Sequence, residues 1–250
     1  MVTIPIRRFS FRALAVTSAL AGGPAFADIS WNVFTIEATN SQGTASFSGT
    51  YDQGSWIAPD VYRWDGNGVQ LQDGDGDTIA TLDSGTFLAV GDPIVNLLFH
   101  VTAGAADTVF SITSGLLSFP AIVDGEGTAS VGMTLTDSGQ DTGADLDGLG
   151  GPSLARAYQA NFNGFAPGGT NFAEFIPGLT TVVPGGSTSG SDGTGGFLPI
   201  PGAVTSMSAN FTFLLTANDS ASATSTFNIR VPEPASVMLV LAGIVAFRRR

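Results

Sequence analysis

The stretch Ala209-Asn210-Phe211-Thr212-Phe213-Leu214-Leu215-Thr216-Ala217 decides the fold. Ala209, Phe211, Phe213, Leu215 and Ala217 alternate with Asn210, Thr212, Leu214 and Thr216. A period of two sends successive side chains to opposite faces of an extended backbone, so this segment reads as a strand with one apolar face. The same period recurs on the N-terminal side at Ala45, Phe47, Gly49 and Tyr51, at Val95, Leu97, Phe99 and Val101, and at Ala129, Val131, Met133 and Leu135. On the C-terminal side it recurs at Phe227, Ile229 and Val231. Weaker strand signals lie at residues 31–38, 69–72, 78–82, 86–90, 109–113 and 156–162.

Between residues 28 and 230 there is no strong helix signal. Strands separated by Gly, Asn and Asp turns predict an all-β body, an antiparallel β-sandwich of two sheets in the jelly-roll or Ig-like manner. The expected core includes Phe47, Leu97, Phe99, Val131, Leu135, Phe211, Phe213, Phe227 and Ile229. Asn218-Asp219-Ser220 predicts a hairpin between the last two strands. Residues 184–196 are almost entirely Gly, Ser and Thr, with nothing to bury, so residues 177–201 read as a long surface loop within one domain.

Composition narrows the function. The chain has 250 residues, no cysteine, one histidine and a net charge of −12. Its cations are all arginine, and only Arg63, Arg156 and Arg230 fall in the body. Such an anionic surface repels nucleic acid and anionic lipid. A lone His100 without cysteine argues against the usual zinc site. A Ser-His-Asp hydrolase would have to use His100, yet no Gly-x-Ser-x-Gly elbow precedes a helix. Paired-carboxylate hydrolysis stays open on composition, but the body's glutamates are Glu37, Glu126 and Glu174, and nothing marks a pair. The expectation is a protein that is not an enzyme, with no catalytic residues.

Two constellations invite ligands. Asp73-Gly74-Asp75-Gly76-Asp77 spaces Asp73, Asp75 and Asp77 so that their carboxylates can turn toward one calcium ion. The run resembles the first half of an EF-hand or dockerin-type loop, departing from it at Thr78 and Ser84. The same residues also suit a tight hairpin turn, because Asp-Gly is a preferred turn pair. Asp137, Asp141, Asp145 and Asp147 form a looser acidic loop open to the same two readings. Tyr51, Trp56, Tyr62 and Trp64 cluster around Arg63; they read either as core or as a platform stacking on the sugar rings of an extracellular polysaccharide.

The ends carry addresses. Arg7, Arg8 and Arg12, an apolar run over residues 13–23 and Ala25-Phe26-Ala27 make a signal peptide over residues 1–27, including its helix, for the Sec translocon. At the other end Val231, Pro232, Glu233 and Pro234 precede a charge-free run over residues 235–247, then Arg248, Arg249 and Arg250. The prolines keep a helix from starting before them. The arginines hold the end on the cytoplasmic side. The apolar run is roughly 20 Å as helix against a hydrocarbon core of roughly 30 Å, a mismatch that snorkelling arginines relieve, although length alone also fits a short buried helix.

This Pro-Glu-Pro, apolar helix and basic cluster over residues 231–250 resembles the PEP-CTERM sorting tail of Gram-negative bacteria. The resemblance implies an exosortase as partner, a transmembrane sorting helix as the sole membrane contact, and delivery to the cell surface or an exopolysaccharide matrix such as a biofilm. It implies nothing about the body at 28–230, whose expected role is that of a non-catalytic surface or matrix protein. The alternative is a carbohydrate-binding module, calcium-assisted.

Overall fold

A computed structural model describes residues 27–139 and 143–231. The signal segment up to Phe26, Asp141, and Pro232, Glu233, Pro234, Arg248, Arg249 and Arg250 of the sorting motif lie outside the described residues. Among the described residues no helix is long and apolar enough to cross a membrane.

The strands run β1 (Asp28–Ile29), β2 (Asn32–Thr39), β3 (Thr44–Thr50), β4 (Ser55–Ala58), β5 (Val61–Gln72), β6 (Thr78–Val90), β7 (Ile94–Ala103), β8 (Thr108–Ser114) and β9 (Leu117–Val123). They continue with β10 (Glu126–Thr136), β11 (Ala144–Gly148), β12 (Tyr158–Phe162), β13 (Thr170–Phe175), β14 (Gly178–Thr181), β15 (Ser187–Gly193), β16 (Leu198–Pro199), β17 (Ala203–Leu215) and β18 (Ser220–Arg230). One short 3-10 turn, Tyr51–Gln53, links β3 to β4.

These strands form two antiparallel sheets, a β-sandwich. The first is ten-stranded, ordered β1-β9-β17-β8-β2-β3, with β12 and β11 on the second edge of β17 and β13 and β14 beyond them. The second is eight-stranded, ordered β15-β10-β18-β7-β6-β5-β4, with β16 also on β10. The alternating apolar rows meet between the sheets. Phe99 of β7 lies edge-on to Phe211 of β17 at 4.9 Å and stacks on Phe213 at 6.0 Å. Phe34 of β2 stacks on Trp64 of β5 at 4.9 Å, and Phe172 of β13 on Phe227 of β18 at 5.2 Å. Each fully buried phenylalanine among them contributes about 1.5–3 kcal/mol, and Phe172, only partly buried, contributes less. The expected core residues are buried, except that Phe47 is only partly so and packs on the core from its edge.

Two expectations are corrected. The last two strands are not a hairpin: β17 pairs in the first sheet and β18 in the second, between β10 and β7. The chain crosses the core edge at Asn218, whose φ is 61°. The same Asn-Asp turn chemistry serves an arch as well as a hairpin. Nor is 177–201 a structureless loop. It contains β14 and β16, and β15 pairs with β10 over seven residues, from Ser130 opposite Gly193 to Thr136 opposite Ser187. An edge strand is held by backbone hydrogen bonds, so Ser, Thr and Gly suffice without an apolar face, and they leave little to attract another strand.

Candidate functional site

The acidic loop of Asp73, Asp75 and Asp77 is the tight connection between β5 and β6. Asp73 Oδ1 accepts the backbone N–H groups of Asp75 and Asp77, both at 3.0 Å, and the Asp73 N–H donates to the Asp77 carbonyl at 3.0 Å. Gly76 takes φ of 91°, a conformation open to glycine. The Asp73 carboxylate thus folds back on its own turn. Among the described residues no three His, Cys, Asp or Glu side chains converge as metal ligands. In the second acidic stretch, Asp137 is buried and its Oδ2 accepts the N–H groups of Gly143 and Gly185. Asp219, also buried, accepts the Thr216 hydroxyl in a short hydrogen bond. Burial pushes the Asp219 carboxyl above its usual value, and the charge of Asp137 adds to this; Thr216 and the amides of Gly139 and Ser138 oppose it.

The four aromatics separate. Tyr62 and Trp64 alternate along β5 with the exposed Arg63 and Asp65, and both are buried. They belong to the core and cannot stack on a sugar, which corrects half of the expected platform. Trp64 lies in a slot made by glycines: a Cβ on Gly49 would sit 2.2 Å from its ring, and one on Gly66 2.5 Å away. Tyr62 stacks on Tyr51 at 5.0 Å and donates its hydroxyl to the Tyr51 carbonyl at 2.7 Å. Burial, with Tyr51 and Asp52 nearby, pushes the Tyr62 hydroxyl up to about 12 against the pull of Gly54. Trp56 stays exposed, its Nε1 donating to the Tyr51 hydroxyl at 2.8 Å. At this corner, where the chain passes from one sheet to the other, Trp31 and Ile57 are exposed too, and the Trp31 carbonyl accepts the Tyr51 N–H at 2.7 Å. Burial raises the Asp65 carboxyl, but the hydrogen bonds from Arg63 and Thr86 and the Arg63 charge outweigh it and hold the group below its usual value. His100 sits on the outer face of the second sheet, 3.8 Å from Asp83.

A cleft that the alternation does not reveal lies on the outer face of the first sheet. Its volume is about 490 Å³. Residues paired across four strands set its polar row: Thr113 of β8 opposite Asn210 of β17, Asn210 opposite Gln159 of β12, and Gln159 opposite Glu174 of β13. Thr113 donates to Asn210 Oδ1 at 2.8 Å, and Asn210 Nδ2 donates to Thr212 at 3.1 Å. On the outward parity of an exposed sheet these residues would be wet, yet Gln159 is 7% exposed and Asn210 5%. The cover comes from two loops, one between β11 and β12 and one between β12 and β13. The first is closed by paired hydrogen bonds between Gly150 and Arg156 and tied to β17 by Leu149 N–H on the Thr212 carbonyl. Sequence periodicity marks the polar row but not the loops above it, because the connections on either side of β12 carry no period of their own.

No family model matches the sequence, and no curated protein matches it. Among solved structures, the enzymatically active domain of tailspike protein 4 of bacteriophage CBA120 superposes with a TM-score of 0.30 at 11% identity, over 78% of this chain and 19% of the tailspike. A structure of infectious bursal disease virus, Gx strain, gives 0.23 at 15% identity, over 85% of this chain and 53% of the viral chain. A structure of carbohydrate-binding modules of the β-sandwich superfamily gives 0.18 at 11%, over 81% of this chain and 84% of the module. These superpositions are weak, and none bears on function.

Proposed function

We propose that this is an exported, exosortase-processed protein of the cell surface or extracellular matrix, with a body that acts by presence and binding and not by catalysis. The reading is supported by the bounds of the sandwich, which fall beside the two proposed processing points. The first strand begins at Asp28, directly after Ala25-Phe26-Ala27, and the last ends at Arg230, two residues before Pro232. Arg230 finishes the body by pairing with Glu126 at 2.9 Å and lying 3.6 Å over the Phe197 ring. On this reading the Sec translocon delivers the chain through a signal helix within 1–27. A transmembrane helix in 231–250 holds it until exosortase acts, and the anionic body is left beside extracellular polysaccharide.

The test is expression of the full chain in a Gram-negative host with and without an exosortase. The reading expects the body in the medium or on the surface only with the enzyme, and membrane retention without it. Identical distribution in both hosts counts against it.

A further inference from the structure

We propose that the cleft over Gln159 is a binding site for a neutral saccharide, a mono- or disaccharide unit at the end of or within a glycan. The inference does not depend on how the protein is exported.

The cleft is built for a ligand rather than left over from packing. Gln159 is more than nine-tenths buried, lines the cavity, and its amide makes no hydrogen bond among the described residues. A Cβ on Gly150 would sit 2.3 Å from Gln159 Nε2, so glycine there lets the loop close over the amide. Beside it, Asn171 Oδ1 is buried without a partner, and so is Glu174 Oε2, which lies 2.0 Å from where a Cβ on Gly151 would stand. Buried polar atoms are normally paired, and leaving one unpaired costs about 1–3 kcal/mol. Two such atoms, beside a Gln159 amide that faces the cavity without a protein partner, indicate partners that arrive from outside.

The chemistry of the lining chooses among ligands. None of the lining residues is charged. An anion would meet no cation here, and would approach a net-negative protein with Glu174 close by. An apolar ligand would leave Gln159 and Asn171 unpaired. A peptide strand would seek a sheet edge, whereas this cleft lies on a face. Hydroxyls both donate and accept, so a polyol can satisfy the Gln159 and Asn171 amides and the Thr113 and Thr212 hydroxyls together. Leu149, Pro152, Leu154 and Pro167 supply apolar walls for the C–H faces of a sugar ring. The volume falls in the range of small-ligand sites, about 300–1,000 Å³.

The test uses the full 250-residue chain in mild detergent. Saturation-transfer NMR and calorimetry are run against glucose, galactose, mannose, N-acetylglucosamine, cellobiose and maltose, with glucuronate as the charged control. At least one neutral sugar is expected to bind saturably and more tightly than glucuronate. Gln159→Leu should weaken it tenfold or more and Thr212→Val a few-fold, with far-UV circular dichroism unchanged. Should Gln159→Leu misfold, Gly150→Ala, which drives a methyl against the Gln159 amide from the loop side, is expected to weaken binding likewise. No saturable binding to any neutral sugar overturns the proposal. So does preferred binding of glucuronate, or binding that survives every folded variant of this set, which would put the sugar at the Trp56 corner or elsewhere.

Discussion

The Trp64 slot gives a quantitative test of the core. Removing the indole by Trp64→Ala leaves a cavity under Phe34 and Phe47, whose rings lie 4.9 and 6.2 Å from it. Large-to-small changes at such sites cost about 3–5 kcal/mol. The opposite error is Gly49→Ala, which puts a methyl carbon 2.2 Å from Cε2 and Cζ2 of the ring. Gly49 has no left-handed φ, so its cost comes from the clash alone, about 1–3 kcal/mol for overpacking. The two errors cancel in part. With the indole gone, the added methyl meets open space, so Gly49→Ala in the Trp64→Ala background should cost close to nothing. The coupling then equals most of the single-mutant penalty, as expected for side chains in contact. Urea unfolding of residues 28–230 followed by far-UV circular dichroism measures it, and with m of about 2–3 kcal/mol/M the Trp64→Ala midpoint should fall by about 1–2.5 M. Additive losses in the double variant, or a Trp64→Ala cost under about 1 kcal/mol, would refute the packing described here and return Trp64 to the surface.

Other outcomes follow from the same geometry. Hydrogen exchange should find alternate amides of β15 protected at a level near that of β10, whereas uniformly fast exchange over residues 187–193 would restore the loop. Calcium should raise the melting temperature no more than magnesium at equal ionic strength, because Asp73 already serves its own turn; a calcium-specific rise abolished by Asp75→Ala would contradict that. Asp219 ionises at a lower pH when unfolded than when folded. Its protonated form is therefore compatible with the fold, and stability is lost as pH climbs from the ordinary carboxylate value, about 3.9, through the raised one. Asp219→Asn should remove that loss, so the variant's melting temperature should gain on the parent's as pH rises from about 4 toward neutrality. A difference that does not vary with pH would refute the assignment.

The strands were legible where one face is apolar and the other polar. Leu97, Phe99, Val131, Leu135, Phe227 and Ile229 point inward because the two-residue period leaves them no other side. The same rule was available for Tyr62 and Trp64, which alternate with Arg63 and Asp65. Their clustering with Tyr51 and Trp56 suggested a platform, but parity on β5 decides for the core. β15 escaped because its stabilisation is in the backbone, which composition does not report. The crossing between β17 and β18 escaped because an Asn-Asp turn between two strands with one apolar face suits an arch between sheets as well as a hairpin within one. The polar row of Thr113, Asn210 and Gln159 looked like an ordinary wet face, since nothing local to it announces loops that close from the connections on either side of β12.

Export and processing as proposed would leave the sandwich outside the membrane, freed from both address segments. Intact-mass spectrometry of the protein recovered outside exosortase-bearing cells tests this most directly. The expected product is a chain that begins near Asp28 and ends close to the Pro232-Glu233-Pro234 motif. Recovery of extracellular protein still carrying Arg248, Arg249 and Arg250 would contradict it.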